Sequence, residues 1–209
     1  MPKLAFRDRL KRREWVQLSF EFLPSEFSND HQVRILADGQ DLLEKIDKSS
    51  LGLDPVEFFA QPTLHTTGWL LIGRCECGCV GCDDVRAAVT RTEQDVLWDL
   101  ASRGMQFSFA LPDYDEAMKI GAADFSWETP QRTAERLVSK LDYSEFARYG
   151  LVFGWASARI EENQMTLSFM KDGNQILYKA PWDSQEPSHA VATVQQMLPY
   201  FLEQVKVGS

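Results

Sequence analysis

The sequence predicts an α+β protein in which antiparallel sheets, built from meanders and hairpins, are packed by a few helices. Three observations support this fold class. Apolar and polar residues alternate from Val16 to Phe22, which is the two-residue period of a strand with one buried face. The dipeptide Asp172-Gly173, typical of a two-residue hairpin turn, separates two further alternating stretches. The last segment, Pro187 to Val207, has apolar residues at helical spacing and should cover one sheet.

Length and composition indicate a globular protein. The chain has 209 residues, of which 44% are hydrophobic and 25% charged, close to the average for globular proteins. We predict a single compact domain over residues 1–209, with a possible subdivision near residue 112, because no flexible linker marks a boundary. No apolar run approaches the roughly 20 residues that cross a bilayer, so we expect no membrane insertion.

The first half is predicted to consist mainly of strands. The segment Leu23-Pro24-Ser25 should terminate the first strand, and a second short strand should begin at Val33 and Ile35 and stop at Asp38-Gly39. Short helices are expected at Asp41–Asp47 and, after the start signal Asp54-Pro55, at Val56–Ala60. Three apolar stretches then predict an antiparallel meander: Trp69–Ile72, Val85–Val89 and Val96–Leu100.

The second half is predicted to combine helices with one hairpin. Thr129-Pro130 is a strong helix start, with Thr as the cap and Pro at the first position. We assign the charged residues of this helix to its solvent face: Arg132, Glu135, Arg136 and Lys140. The hairpin should place Phe169 opposite Ile176 and Leu167 opposite Tyr178. Pro199 should kink or split the last helix, because proline lacks a backbone donor.

The formal net charge of −9 is distributed unevenly. Residues 1–15 carry a net charge of +4, whereas the rest of the chain carries −13. The basic N-terminal arm includes Arg7, Arg9, Lys11, Arg12 and Arg13. This arm could bind nucleic acid, but we favour a solvated segment that folds back on the acidic body. The pI near 4.9 makes nucleic-acid binding elsewhere in the chain unexpected. No apolar signal-peptide segment follows the basic start, which predicts a cytoplasmic protein.

All four cysteines lie in one short segment and form the clearest local anomaly: Cys75, Cys77, Cys79 and Cys82. Thiolates are preferred ligands of structural zinc, and Cys79-x-x-Cys82 has the spacing of a zinc knuckle. A strand would direct Cys75 and Cys77 to the same face, so this pair can chelate an ion. The four cysteines are therefore a candidate metal site, with zinc as the candidate ion.

Other interpretations of the cysteines stay open. Four ligands from one tight turn would be strained, and His31, His65 or His189 could replace one of them. The thiols could instead simply pack as small apolar groups. Alternatively, Cys77 and Cys82 could form a bridge across the turn as a redox switch, although a stable disulfide framework is not expected without secretion.

The run Cys75-x-Cys77-Gly78-x-x-Gly81-Cys82, followed by a valine-rich strand and Val96-x-Trp98, resembles a group of uncharacterised bacterial proteins. The stretches Asp124-x-Ser126-Trp127-Glu128-Thr129 and Trp155-Ala156-Ser157 are similar to the same group. The resemblance spans roughly residues 66–185 and implies a bacterial cytoplasmic origin, but no reaction type. Cys79 falls outside the motif of that group, which argues against a four-cysteine zinc site.

The sequence contains no motif of a known enzyme class. It has no nucleophile elbow, phosphate-binding glycine loop or zinc-protease helix. Its acidic clusters are typical of solvated turns and helix starts: Asp83-Asp84, Asp113–Glu116 and Glu161-Glu162. We therefore assign no catalytic residue and favour a protein that is not an enzyme.

Two of the six tryptophans, Trp127 and Trp182, lie at predicted element edges and are candidates for a binding surface. Our leading hypothesis is a bacterial cytoplasmic protein that acts by macromolecular binding, as immunity or adaptor proteins do. Its acidic groups would attract a protein partner with a basic surface. The alternative is a metal-binding or redox-responsive protein centred on the cysteines of residues 75–82.

Overall fold

The computed structural model describes residues 15–25, 30–46, 50–77 and 81–207 of the chain. The basic arm at Arg7–Arg13 and the Cys79 position lie outside these residues. Contacts divide the chain into two compact units, which we call unit 1 (residues 1–127) and unit 2 (residues 128–209). The single domain with a subdivision near residue 112 stays a prediction.

The described part of unit 1 contains eight strands: β1 (Leu18–Ser25), β2 (Asp30–Ala37), β3 (Gln40–Asp41), β4 (Ser50–Leu51), β5 (Gly68–Cys75), β6 (Val85–Arg91), β7 (Asp95–Leu100) and β8 (Met105–Ala110). It also contains three α-helices: α1 (Leu42–Ile46), α2 (Pro55–Phe59) and α3 (Leu111–Ala123). Single turns of 3₁₀-helix lie at Pro62–Leu64 and Ala101–Arg103.

The strands of unit 1 form two antiparallel sheets, with the orders β1-β2-β3 and β4-β5-β6-β7-β8. The second sheet contains the predicted meander, now seen as β5, β6 and β7. Backbone hydrogen bonds connect the two sheets at both edges of the second sheet. Val16 N donates to Ser108 O of β8 at 2.8 Å, and Val33 N donates to the O atom of Leu53, shortly after β4, at 2.8 Å. Both sheets and α3 therefore contribute to one core, whose largest fully buried side chains include Trp98, Tyr114, Phe58 and Phe109.

The first strand, β1, starts two residues after the predicted Val16 and includes the segment Leu23-Pro24-Ser25, which the sequence predicts would terminate it. It continues through Pro24 to Ser25, and Pro24 pairs with His31 of β2. Because β1 is an end strand of its sheet, the missing donor of Pro24 does not interrupt a ladder on both sides.

The described part of unit 2 contains one sheet of order β11-β10-β9, formed by β9 (Val152–Ser157), β10 (Gln164–Lys171) and β11 (Asn174–Pro181). Its helices are α4 (Pro130–Ser139), α5 (Ser144–Ala147) and α6 (Pro187–Val207).

The predicted hairpin between β10 and β11 is confirmed residue by residue. Phe169 pairs with Ile176 and Leu167 pairs with Tyr178. Asp172 and Gly173 have φ values of +50° and +78°, as a type I′ turn requires. The register places Phe169 and Leu167, both fully buried, in the core of unit 2.

The helix start at Thr129-Pro130 is confirmed, since the Thr129 side chain accepts a hydrogen bond from Arg132 N. The assignment of Arg132 and Glu135 to the solvent face is wrong, because they are only 6% and 7% exposed. Glu135 Oε1 accepts hydrogen bonds from Ser157 Oγ at 3.1 Å, Ala158 N at 2.9 Å and Arg159 Nε at 2.9 Å. These partners compensate the carboxylate for its lost hydration.

The C-terminal helix α6 runs from Pro187 to Val207 with Pro199 inside it, so the predicted split does not occur. It contacts α4 and β11, which closes the core of unit 2. The α+β fold class, with mostly antiparallel sheets and a C-terminal helix, is confirmed. Within the described residues, no helix has the length and apolarity needed to cross a membrane.

The buried Glu135 gives a stability prediction for unit 2. Glu135→Gln should lower the free energy of unfolding by about 3 kcal/mol, because it removes the negative charge that pairs with the Arg132 and Arg159 guanidinium groups. Glu203→Gln is the matched control: Glu203 pairs with Lys206 at the surface, so its loss should cost less than about 0.5 kcal/mol. Urea denaturation followed by circular dichroism measures both. Equal losses in the two variants would contradict a stabilising role for the buried carboxylate.

Candidate metal centre

Three cysteines of the described chain meet where β5 passes into β6. Cys75 is the last residue of β5, Cys77 follows in the turn, and Cys82 lies shortly before β6 begins. Because the two strands are antiparallel and Gly73 pairs with Val85, the two ends of the connecting segment lie side by side. Sheet pairing therefore brings Cys82 back to the pair Cys75 and Cys77.

The three sulfur atoms form a tight group. All of them lie within 4.8 Å of one another, and Cys75 Sγ is 2.7 Å from Cys77 Sγ. Cys75 is half-buried, whereas Cys77 and Cys82 are exposed. We call Cys75, Cys77 and Cys82 the cysteine cluster. It is accessible to an ion from solvent.

The turn on the Cys82 side is held by a glycine and an ion pair. Gly81 has a φ of +79°, in the left-handed region that a side chain disfavours. Its N–H donates to Asp84 Oδ1 at 3.2 Å, while Arg86 Nη2 donates to Asp84 Oδ2 at 2.9 Å. The hydrogen bond from Arg86 is the main reason why the pKa of Asp84 lies below its ordinary value. Asp84 thus stays charged and ties the turn to β6.

The Cys75 side is held by neighbouring elements. Cys75 pairs with Ser50 of β4, and Arg74 pairs with Leu51. The Arg74 side chain binds Glu57 of α2 through two hydrogen bonds, one of them from Nη1 to Oε2 at 3.1 Å. The backbone that carries Cys75 is therefore fixed from two directions.

Without an ion, the close approach of the other two thiols disfavours the charged form of Cys82. Hydrogen bonds and repulsion from Cys75 and Cys77 raise the pKa of Cys82 to about 12. A thiolate is the form that binds metal. A bound cation would supply the opposite charge that stabilises the thiolates, and the protons would leave as it binds.

The structure brings together three of the four predicted cysteine ligands, and the fourth, Cys79, lies in the segment 78–80 outside the described residues. Across the described part of the chain, no histidine nitrogen or carboxylate oxygen joins the cysteine cluster. His31 instead lies against the Trp127 ring, with centroids 5.6 Å apart, and His189 Nδ1 lies 3.2 Å from Asp183 Oδ2.

The two candidate binding-surface tryptophans occupy different environments. Trp127 is half-buried, stacks on Phe22 with centroids 6.0 Å apart, and donates from Nε1 to Asp124 O at 2.9 Å. Trp182 is only 4% exposed and donates from Nε1 to Glu186 O, so its ring belongs to the core of unit 2. A role for either in binding stays a prediction.

Sequence reasoning missed the surface around Trp15. Trp15 is 57% exposed and lines a groove between β1 and α3. Three carboxylates line the same groove: Asp113 and Glu116, which belong to an acidic cluster of the sequence, and Asp124. Local patterns do not reveal this groove, because its two walls are about 90 residues apart in the chain.

The acidic clusters singled out in the sequence each take part in ion pairs, including Asp84–Arg86, Asp115–Arg91 and Glu161–Lys179.

Comparisons of the chain with protein-family models, with curated proteins and with solved structures found no match.

The geometry of Gly81 gives a prediction for the cluster. Gly81→Ala should lower the free energy of unfolding by about 1 kcal/mol, because an alanine is strained at this φ. It should also speed the reaction of Cys82 with a thiol reagent, because moving the turn separates Cys82 from the other two sulfurs. Gly39→Ala is the matched control, with a φ of +70° and open space around it, far from the cysteines in sequence. It should lose similar stability without a change in thiol reactivity. Unchanged reactivity in both variants would show that Gly81 does not position Cys82.

Proposed function

We propose that the protein is a metal-binding protein whose cysteine cluster, Cys75, Cys77 and Cys82, holds a thiophilic ion of the zinc class. The observation that carries this proposal is the grouping of three sulfur atoms within 4.8 Å at one end of a sheet. Soft thiolate ligands favour zinc and copper(I) over magnesium or calcium, which prefer oxygen. The bacterial cytoplasm is the compartment we propose, because its reducing conditions keep thiols free for binding.

The separations suit a thiolate-bound ion. Zinc–sulfur bonds of about 2.3 Å in a tetrahedron require sulfur atoms about 3.8 Å apart. All three sulfur atoms already lie within 4.8 Å of one another, and to reach this spacing Cys75 Sγ and Cys77 Sγ would have to move apart from their present 2.7 Å. Three protein ligands leave one position of the tetrahedron for Cys79, for water or for a ligand from a partner.

Cys82 lacks the lowered pKa that is typical of a reactive redox cysteine. Reactive redox cysteines have a lowered pKa, because the thiolate is the attacking species. At Cys82 the neighbouring thiols act in the opposite direction and raise the pKa. The short distance of 2.7 Å between Cys75 Sγ and Cys77 Sγ keeps oxidation as the alternative chemistry, and a disulfide between them would remove two ligands at once.

Elemental analysis tests the proposal directly. Protein purified under reducing conditions without chelator should contain about one zinc per chain, and Cys77→Ser should lower that content several-fold, because it removes one of three gathered ligands. Cobalt(II) titration should give the absorption of thiolate coordination in the wild type. The proposal would be overturned if the protein holds less than about a tenth of an ion per chain both as purified and after incubation with zinc or copper(I).

Cys79→Ser is the matched comparison, because Cys79 belongs to the same segment but lies outside the residues that the structure describes. We expect it to keep about one ion per chain, because the cluster of three retains a chelating geometry. If Cys79→Ser loses as much metal as Cys77→Ser, Cys79 is the fourth ligand, as the four-cysteine site predicted from the sequence requires.

Zinc affinity should fall as the pH falls. Protons compete with the ion for the same sulfur atoms, and the raised pKa keeps Cys82 protonated in the metal-free protein. We expect the dissociation constant to rise at least about tenfold for each unit of pH below about 8. Competition with a chromophoric chelator, corrected for its own protonation, measures this slope. A pH-independent affinity would contradict thiolate coordination.

Macromolecular binding, of the immunity or adaptor type, is the second candidate function. The groove between β1 and α3 favours it, because it combines apolar side chains with three carboxylates. Such a surface suits a basic protein partner. Chemical crosslinking and co-purification from the source cells test this function, and recovery of no partner under any condition would remove it.

A further inference from the structure

A groove of about 640 Å³ runs between β1 and α3 of unit 1. Its β1 wall includes Leu18, Phe20 and Phe22, and its α3 wall includes Ala117 and Ile120. It shares no residue with the cysteine cluster. The groove is therefore a second surface feature, independent of the proposed metal site.

The groove has a fixed apolar floor. The Phe20 ring packs against Phe58 and Phe59, with centroids 5.7 Å and 5.3 Å away. Gly121 permits this packing, because a Cβ there would lie 2.7 Å from Phe20 and 2.6 Å from Phe59. The floor is part of the packed core of unit 1, so its shape should change little when a ligand binds.

Two large apolar side chains stand exposed at the edges of this floor. Trp15 is 57% exposed and Ile120 is 61% exposed. Exposed tryptophan beside an apolar groove is typical of protein-binding surfaces, where aromatic side chains supply much of the contact energy.

The rim of the groove is acidic. Asp113, Glu116 and Asp124 line it, and none of its described lining residues is basic. On α3, the positions of Asp113, Glu116 and Ile120 are three or four residues apart, so they lie along one face of the helix. Backbone and side-chain hydrogen bonds from Ser126 hold the pKa of Asp124 below its ordinary value, which keeps this carboxylate charged.

We propose that this groove is the docking site for a basic peptide segment of a partner protein, with apolar side chains that enter the floor and lysine or arginine side chains that meet the rim. The inference rests on the second candidate function, macromolecular binding, and names its class of partner. Nucleic acid and anionic lipid carry phosphates, which Asp113, Glu116 and Asp124 would repel. Residues 16–209 of a second copy of the chain carry a net charge of −13, which the rim would also repel.

The two parts of the groove have separate effects on binding. Burial of apolar side chains on the floor supplies affinity and slows dissociation. The carboxylates speed association with a cationic segment and reject anionic segments, and this effect weakens as salt is added.

The test uses the full chain and a fluorescent synthetic peptide of about 12 residues in which lysine alternates with leucine and phenylalanine. Fluorescence anisotropy should show saturable binding that weakens as salt is added. A peptide with glutamate in place of every lysine should not bind. Absence of binding by the lysine peptide, or equal binding by both peptides, would overturn the proposed basic partner.

Variants locate the site. Ile120→Lys places a cation in the groove and should weaken binding of the lysine peptide by about tenfold or more. Val56→Lys is the matched control: Val56 is 59% exposed on α2 and does not line the groove, so this variant should bind as the wild type does. Equal weakening in the two variants, or none in Ile120→Lys, would overturn the assignment to this groove. Macromolecular binding at another surface would then be tested separately by the crosslinking experiment.

Neutralising the rim separates charge from packing. Asp113→Asn combined with Glu116→Gln should reduce the salt dependence of binding while leaving the apolar floor intact. An unchanged salt dependence would show that these carboxylates do not meet the peptide. The zinc content of all these variants should equal that of the wild type, since none of the changed residues belongs to the cysteine cluster.

Discussion

The antiparallel pairing of β5 with β6 is the constraint on which the cysteine cluster depends. The connection between these strands carries Cys77 and Cys82, and Cys75 ends β5 itself. Closing such a loop costs conformational entropy. Here the sheet hydrogen bonds of unit 1 and the ion pairs at Arg74 and Asp84 offset that cost before any ion arrives. In the proposed metal site, an ion would therefore meet ligands that are largely preorganised, which would increase its affinity.

The same preorganisation has an unfavourable side in the metal-free protein. The proximity of Cys75 and Cys77 raises the pKa of Cys82 and so disfavours its thiolate. A bound cation would remove this repulsion, so ion binding would also stabilise the turn.

Features set by neighbours in sequence were predictable, whereas features set by distant neighbours were not. The hairpin register at Phe169 and Ile176 follows from a two-residue turn. Cys75 and Cys77 do lie together, but not on one strand face, because β5 ends at Cys75 and Cys77 lies in the turn. Glu135 was assigned to solvent because its helix is amphipathic, but its partners Ser157 and Arg159 lie more than twenty residues away. The groove was likewise invisible, since β1 and α3 meet only in the folded chain.

The turn at Asp172 and Gly173 has a consequence for changes in chain length. Successive strand residues point to opposite faces, so removing one residue from this loop would slip the pairing of β10 with β11 by one position. Phe169 would then exchange faces with Ser168, and a buried aromatic layer would be replaced by hydroxyl groups. Deletions of a single residue should therefore be far less tolerated in this loop than substitutions, even though its two residues are exposed at the surface.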